Sequence, residues 1–182
     1  MNLIEKLNKL NACLCGVEYV AGKSAIDAWN NCDRGDWMLW VAQKQGVDLK
    51  ILTLAKVRCA RLVDHLMKDD RSIAALIAAE RFANGEITRE QLGAAADAAD
   101  AAAGAAAGAA YYAAAVFAAY YAATDAAAAS AYAADAADAA YDSAAYAYDS
   151  AAYAAADAAR ESTLKKCADI CRETINFDLL GL

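Results

Sequence analysis

Few side chains in this sequence are spaced for chemistry. The one histidine, His65, stands among Arg61, Asp64 and Lys68, and reads as an exposed or edge residue rather than a base. The 24 Asp and Glu residues are plentiful, but a general acid/base pair needs constraint as well as number. There is no G-x-S-x-G elbow and no P-loop, so the common nucleophile and phosphate-binding devices are missing. Cys13-x-Cys15 and Cys167-x-x-x-Cys171 could together offer four thiolates, yet neither has the C-x2-C spacing of a zinc knuckle. Cys59 and Cys171 fall instead in apolar helical stripes, where cysteine packs as a small hydrophobe. Arg34-Gly35-Asp36 is the integrin tripeptide by letters only and reads as a turn. The expectation is a non-enzymatic protein with no catalytic residue, no metal and no cofactor.

Binding chemistry has more to work with. Residues 141–147 read YDSAAYA, and residues 148–154 repeat it. Seven residues make two helical turns, so each position returns close to one face. On that face Tyr146 and Tyr153 fall near Asp142 and Asp149, with Asp135 and Asp138 on the same side. Tyr offers large contact area at low entropy cost, and Asp offers charge complementarity. These six residues form a candidate partner-binding ridge; the plainer reading is a solvated face that keeps an Ala-rich chain soluble. A second candidate site is basic. Arg34, Arg58, Arg61 and Lys165, with Asp36, could line a pocket for a small signalling nucleotide.

The elements that must carry these residues are helices. Ala supplies 54 of the 182 residues, 41 of them between 94 and 159, and the chain has no Pro and nine Gly. Strands want branched and aromatic residues with frequent turns. The composition therefore excludes a sandwich, a barrel or a doubly wound α/β fold and predicts an all-α one. Intrinsic disorder is excluded by 60% apolar content and three Trp. The pattern predicts one all-α domain over 1–182: a bundle of short helices (1–88), a long Ala/Asp/Tyr-rich helical hairpin (89–160), and an amphipathic C-terminal helix docking back (161–182). A single helix from Ala94 to Ile175 would be roughly 120 Å long, so the Ala-rich segment must fold back, near residue 124 or at Gly104/Gly108. Start and stop signals punctuate the first half: Ser24-Ala-Ile-Asp27, Asp36 as a second cap, Gly46 then Asp48, Asn84-Gly85, and the capping box Thr88-Arg-Glu-Gln91. The clearest helix runs from Leu49 to about Met67, with Leu52, Ala55, Cys59, Leu62 and Leu66 on one stripe and Lys56 among the polar angles. Leu164, Cys167, Cys171 and Ile175 form a closing stripe.

Charge is segregated. Residues 1–89 hold thirteen Lys/Arg and eleven Asp/Glu (+2), residues 90–159 nine acids and no base (−9), and residues 160–182 four of each, summing to −7. The acidic stretch would repel nucleic-acid phosphates but suits a basic partner. Ala101–Thr124 carries no charge and a G-x-x-x-G spacing. It is mostly Ala, however, flanked by Asp100 and Asp125 without Lys/Arg anchors, so a membrane span is not expected. The N-terminus, with Glu5, Lys6 and Lys9, is no signal peptide. The expected location is the cytoplasm, with reduced thiols.

Four blocks of sequence then point to a family. Ala28 to Val41-Ala42 follows A-W-x-x-C-x-R-G-D-W-h-L-W-h-A, with h apolar; Cys59-Ala-Arg61 and Ala79-Glu-Arg-Phe-Ala-Asn-Gly-Glu86 come next; Lys166-Cys-Ala-Asp-Ile-x-Arg172 closes the chain. With the Ala/Asp/Tyr tract between them, the sequence resembles the alanine-rich immunity proteins of bacteria and their phages, the immunity-protein-five-like family. Phe82 stands where that family more often has Trp. The resemblance implies toxin neutralisation by stoichiometric binding, with a cognate protein toxin as partner, and assigns no functional residue. Against it stand a phage anti-defence protein sequestering a nucleotide signal, and a helical scaffold in which the heptad repeat forms a homo-oligomer seam. In the plainest reading of the Trp motif, Trp29, Trp37 and Trp40 are core, Asp36 is a cap and Arg34 sits in an ion pair.

Overall fold

A computed structural model describes residues 2–66, 70–105 and 150–182, and among them the fold is all-α, with no strand. The helices are α1 (Leu3–Lys9), α2 (Leu14–Tyr19), α3 (Ala25–Asn30), α4 (Gly35–Lys44), α5 (Leu49–Ala60), α6 (Asp70–Ala83), α7 (Arg89–Ala105) and α8 (Ser150–Thr174). Two 3-10 turns, Arg61–Leu66 and Phe177–Leu180, follow α5 and α8.

Local chemistry sets most of the boundaries. Asp48 caps α5, its carboxylate accepting from the Lys50 and Ile51 amides at 2.9 and 3.4 Å. Thr88 and Gln91 exchange both bonds of a capping box at the start of α7. Ser24 accepts from the Asp27 amide at 3.1 Å, while its hydroxyl donates to the Asp27 carboxylate rather than leaving that group to the cap backbone. Gly46 and Gly85 follow α4 and α6 at φ of +74° and +78°, the left-handed backbone that closes a helix and that Gly adopts without strain. The Leu49–Met67 helix of the sequence reading is shorter than expected. It is α-helical only to Ala60, then tightens into the 3-10 turn, a common ending for a helix.

Packing builds outwards from α5. It contacts α6 on one side and the pair α4 and α8 on the other, and α6 in turn packs on α7. Leu39, Ala42, Ala55, Val57, Cys59, Ala60, Leu76, Cys167 and Cys171 are fully buried. Small Ala and Cys side chains dominate, so these helices approach closely, and each larger one such as Leu39 adds about 1.5–3 kcal/mol by burial. The closing stripe Leu164, Cys167, Cys171 and Ile175 is buried along α8 against α4 and α5. Lys56, placed among the polar angles of α5 from the sequence, is only 1% exposed; its stem shares the core with Leu52, Val57 and Cys59.

α7 runs through Gly104 without a break. The expected fold-back near residue 124 and most of Ala101–Thr124 lie outside the described residues. No described helix is long and apolar enough to cross a membrane.

Candidate functional site

The Trp motif does not disappear into the core. Trp29 does, at 5% exposure, and its ring meets Phe177 at 6.4 Å between centroids. Trp37 and Trp40, one turn apart on α4, are only half-buried. With Val41 they form one wall of a cleft of ≈ 380 Å³. The opposite walls come from α1 and α2, through Leu3, Leu7, Cys13, Gly16 and Tyr19. Trp29, Cys32, Asp36 and Met38 also line it. All three Trp of the chain therefore line one cavity, whose size falls in the range of small-molecule sites.

Each wall has an identifiable support. Tyr19 donates its hydroxyl to the Ala28 carbonyl at 3.0 Å and tilts against Trp37, with ring centroids 5.8 Å apart. Burial raises the Tyr19 pKa, so it stays a neutral donor. Leu182 closes one end, where Lys6 donates to the Gly181 carbonyl at 3.0 Å. On α8, Arg172 donates to the carbonyls of Trp29 and Cys32 at 3.3 and 2.7 Å and to Asp169 at 2.6 Å. That guanidinium joins the Cys32 amide on the Trp29 carbonyl at the end of α3 and ties the α3–α4 turn to α8. By contrast α2 buries none of its six residues and has no side-chain cap, and Leu14 on it is 71% exposed.

Asp36 is not the cap that its position suggested. Arg34 is the N-cap residue of α4 and no side chain caps that end. Asp36 lies inside the first turn, 5% exposed, and both its carboxylate oxygens accept from the Arg34 guanidinium, one through Nε at 2.8 Å. This bonding holds the Arg34 pKa above its usual value. The same guanidinium stacks on Trp37, 4.5 Å from the ring centroid. Gly35 between them is required by packing. A Cβ there would lie 2.7 Å from both the Ala168 nitrogen and the Cys167 carbonyl carbon, so α8 can cross α4 only over a glycine.

The basic residues read as a nucleotide pocket do not gather around one cavity. Arg58 bonds to Glu173 and Thr174 on α8. Arg61 faces the other way, its fork on Glu80 of α6 at 2.8–2.9 Å and a further bond to Asp64. Lys165 is exposed, 3.9 Å from Asp33. Of the five residues of that proposed set only Asp36 lines the cleft; Arg34 touches two of its walls. Of the acidic ridge, Asp135, Asp138, Asp142, Tyr146 and Asp149 lie outside the described residues, and Tyr153 falls on the backbone of α8. His65 is exposed.

The two cysteine pairs at the chain ends stay apart. Cys13 and Cys15 are exposed, whereas Cys167 and Cys171 are buried beside Cys59. The Cys59 thiol is pushed well up, first by bonding with Cys167 and Cys171 and then by burial; burial is the main cause raising Cys32. A raised pKa means less thiolate at any given pH, and the thiolate is the reactive form. Native protein at pH 8 is therefore expected to titrate two thiols rapidly with Ellman's reagent, Cys13 and Cys15, and six after denaturation. Rapid reaction of a third native thiol would contradict the burial of Cys32, Cys59, Cys167 and Cys171.

Sequence reasoning missed the walls supplied by α1 and α2. Leu3 and Leu7 one helical turn apart, facing a Trp37/Trp40/Val41 face, were the available signal. Comparison of the chain with protein-family models, with curated proteins and with solved structures finds no match.

Proposed function

We propose that this chain is a non-enzymatic immunity protein that acts in the cytoplasm by binding a cognate protein toxin and holding it inactive. The observation that carries the reading is the Trp motif itself. Within the Trp block of the family resemblance, Trp29, Cys32, Asp36, Trp37, Met38 and Trp40 line an open aromatic cleft. A motif needed only for stability would bury its aromatics; here two of the three Trp remain half-exposed, and aromatic anchors at a cleft suit recognition. The excess of nine acids over no base in residues 90–159 supports a basic target, such as a nuclease, with the carboxylates standing where phosphates would bind.

The test is direct. The purified chain is mixed with the toxin encoded beside it, and complex formation is followed by calorimetry and by loss of toxin activity. A stoichiometric complex is expected; no complex, with the toxin fully active, overturns the reading. The Asp142→Lys, Asp149→Lys double variant should leave the thermal melt nearly unchanged and weaken the complex at least tenfold, because it reverses two charges on the ridge. Unchanged affinity would reduce that ridge to a solvated face.

A further inference from the structure

The cleft offered above to a toxin also has a chemistry suited to a small ligand. Its interior is apolar: Leu3, Leu7, Val20, Met38, Val41 and Leu182 supply aliphatic surface between the aromatic walls. Its one ionised lining side chain among the described residues, Asp36, is already neutralised by Arg34. Two ammonium groups are seated on its aromatic walls. Lys23 Nζ lies 3.4 Å from the Tyr19 ring centroid, and Lys44 Nζ lies 5.9 Å from that of Trp40. Both lysines are exposed, and neither forms an ion pair with a carboxylate among the described residues. Their only described partners are the rings they rest on.

From this juxtaposition we propose that the cleft is a binding site for a small amphipathic anion: a single apolar chain held between the Trp37/Trp40 face and α1, with its carboxylate or phosphate head drawn to the ammonium groups that rest on the Tyr19 and Trp40 rings, those of Lys23 and Lys44. Apolar walls supply the affinity, and the two cations set the sign of the head group. The cleft discriminates against a cationic amphiphile of the same chain, because that head would meet two like charges.

Tryptophan fluorescence reports on this site alone, since all three indoles line it. Sodium decanoate, titrated into the full chain below its aggregation range, should change the emission saturably, with a calorimetric stoichiometry of one. Decyl phosphate tests the other head group, and the tighter of the two assigns it. Butanoate and decyltrimethylammonium should each bind at least tenfold more weakly than decanoate. The Lys23→Glu, Lys44→Glu double variant lies on the exposed surface and should keep the helical melt of the parent while losing at least tenfold in decanoate affinity. No saturable signal with either anion overturns the proposal. So does a cationic amphiphile that binds as tightly as decanoate, or a double variant with unchanged affinity. No toxin enters this experiment, so its failure leaves the toxin-binding reading standing, and failure of that reading leaves this one intact.

Discussion

Replacing Gly35 by Ala is expected to be the most damaging single substitution in the chain. The added methyl would run into Cys167, and would lie 2.7 Å from the Cys167 carbonyl carbon and the Ala168 nitrogen. Flexible side chains can yield to such a contact; helix backbone cannot. α8 must lift off α4, which also stretches the 3.8 Å bond from the Cys171 thiol to the Gly35 carbonyl and opens the fully buried Leu39, Cys167 and Ala168 contacts. Overpacking ordinarily destabilises by 1–3 kcal/mol, and a collision with backbone belongs at the top of that range, about 3 kcal/mol. Urea unfolding followed by circular dichroism should show the midpoint falling accordingly. Gly93→Ala is the matched control. A Cβ at Gly93 meets nothing within 4 Å and the site lies inside α7, so Ala should stabilise by about 0.5–1 kcal/mol through helix propensity. Equal and small effects at both glycines would mean that α4 and α8 are not in contact.

Arg172→Ala should come next, at about 3 kcal/mol. One guanidinium donates to the carbonyls of Trp29 and Cys32 and to the Asp169 carboxylate, and lies 3.9 Å from the Met38 sulfur. A hydrogen bond from a charged donor contributes about 1.5–3 kcal/mol, and a buried acceptor left without a partner costs about 1–3 kcal/mol. Truncation loses the first and incurs the second at the Cys32 carbonyl, since the Trp29 carbonyl keeps the Cys32 amide at 3.4 Å. It should also be visible at a distance from the substitution. Trp29 and Cys32 line the cleft, so releasing their backbone should shift tryptophan emission and increase acrylamide quenching before global unfolding. Arg172→Lys should recover only part of the stability, since an ammonium cannot copy the planar fork. A variant with native stability and unaltered emission would show that the α3–α4 turn is held by something else.

What the sequence disclosed and what it concealed divide along a physical line. Caps and stops are local: Asp48, Gly46, Gly85 and the Thr88–Gln91 pair each act within a few residues, and each is legible. So is the Leu164–Ile175 stripe, because a helix face is set by spacing alone. Lys56 was misread because a charged residue usually marks an outer face, and only packing from several helices at once could bury it. Asp36 was misread because acidic residues near a helix start are normally caps; the short-range pull of Arg34, two residues away, took it instead. The cleft was invisible for a third reason. Its walls are half-buried aromatics, which have the same spacing whether they fill a core or border a cavity, and on its far side the Leu3/Leu7 spacing of α1 marks an apolar face without saying what it faces. The need for Gly35 likewise becomes apparent only once α8 lies across it.

The joining of α4 and α5 to α8 also bears on how the chain is made. The Cys59 thiol bonds to a carbonyl 108 residues further on, and the Gly35 carbonyl accepts from a thiol 136 residues away. Translation runs at about 5–20 residues per second, so the apolar faces of α4 and α5 emerge from the ribosome on the order of ten seconds before their partner exists. During that interval the nascent polypeptide must shelter Leu39, Leu52 and Val57 with α6 or with a chaperone, and the final core closes only once α8 has been made.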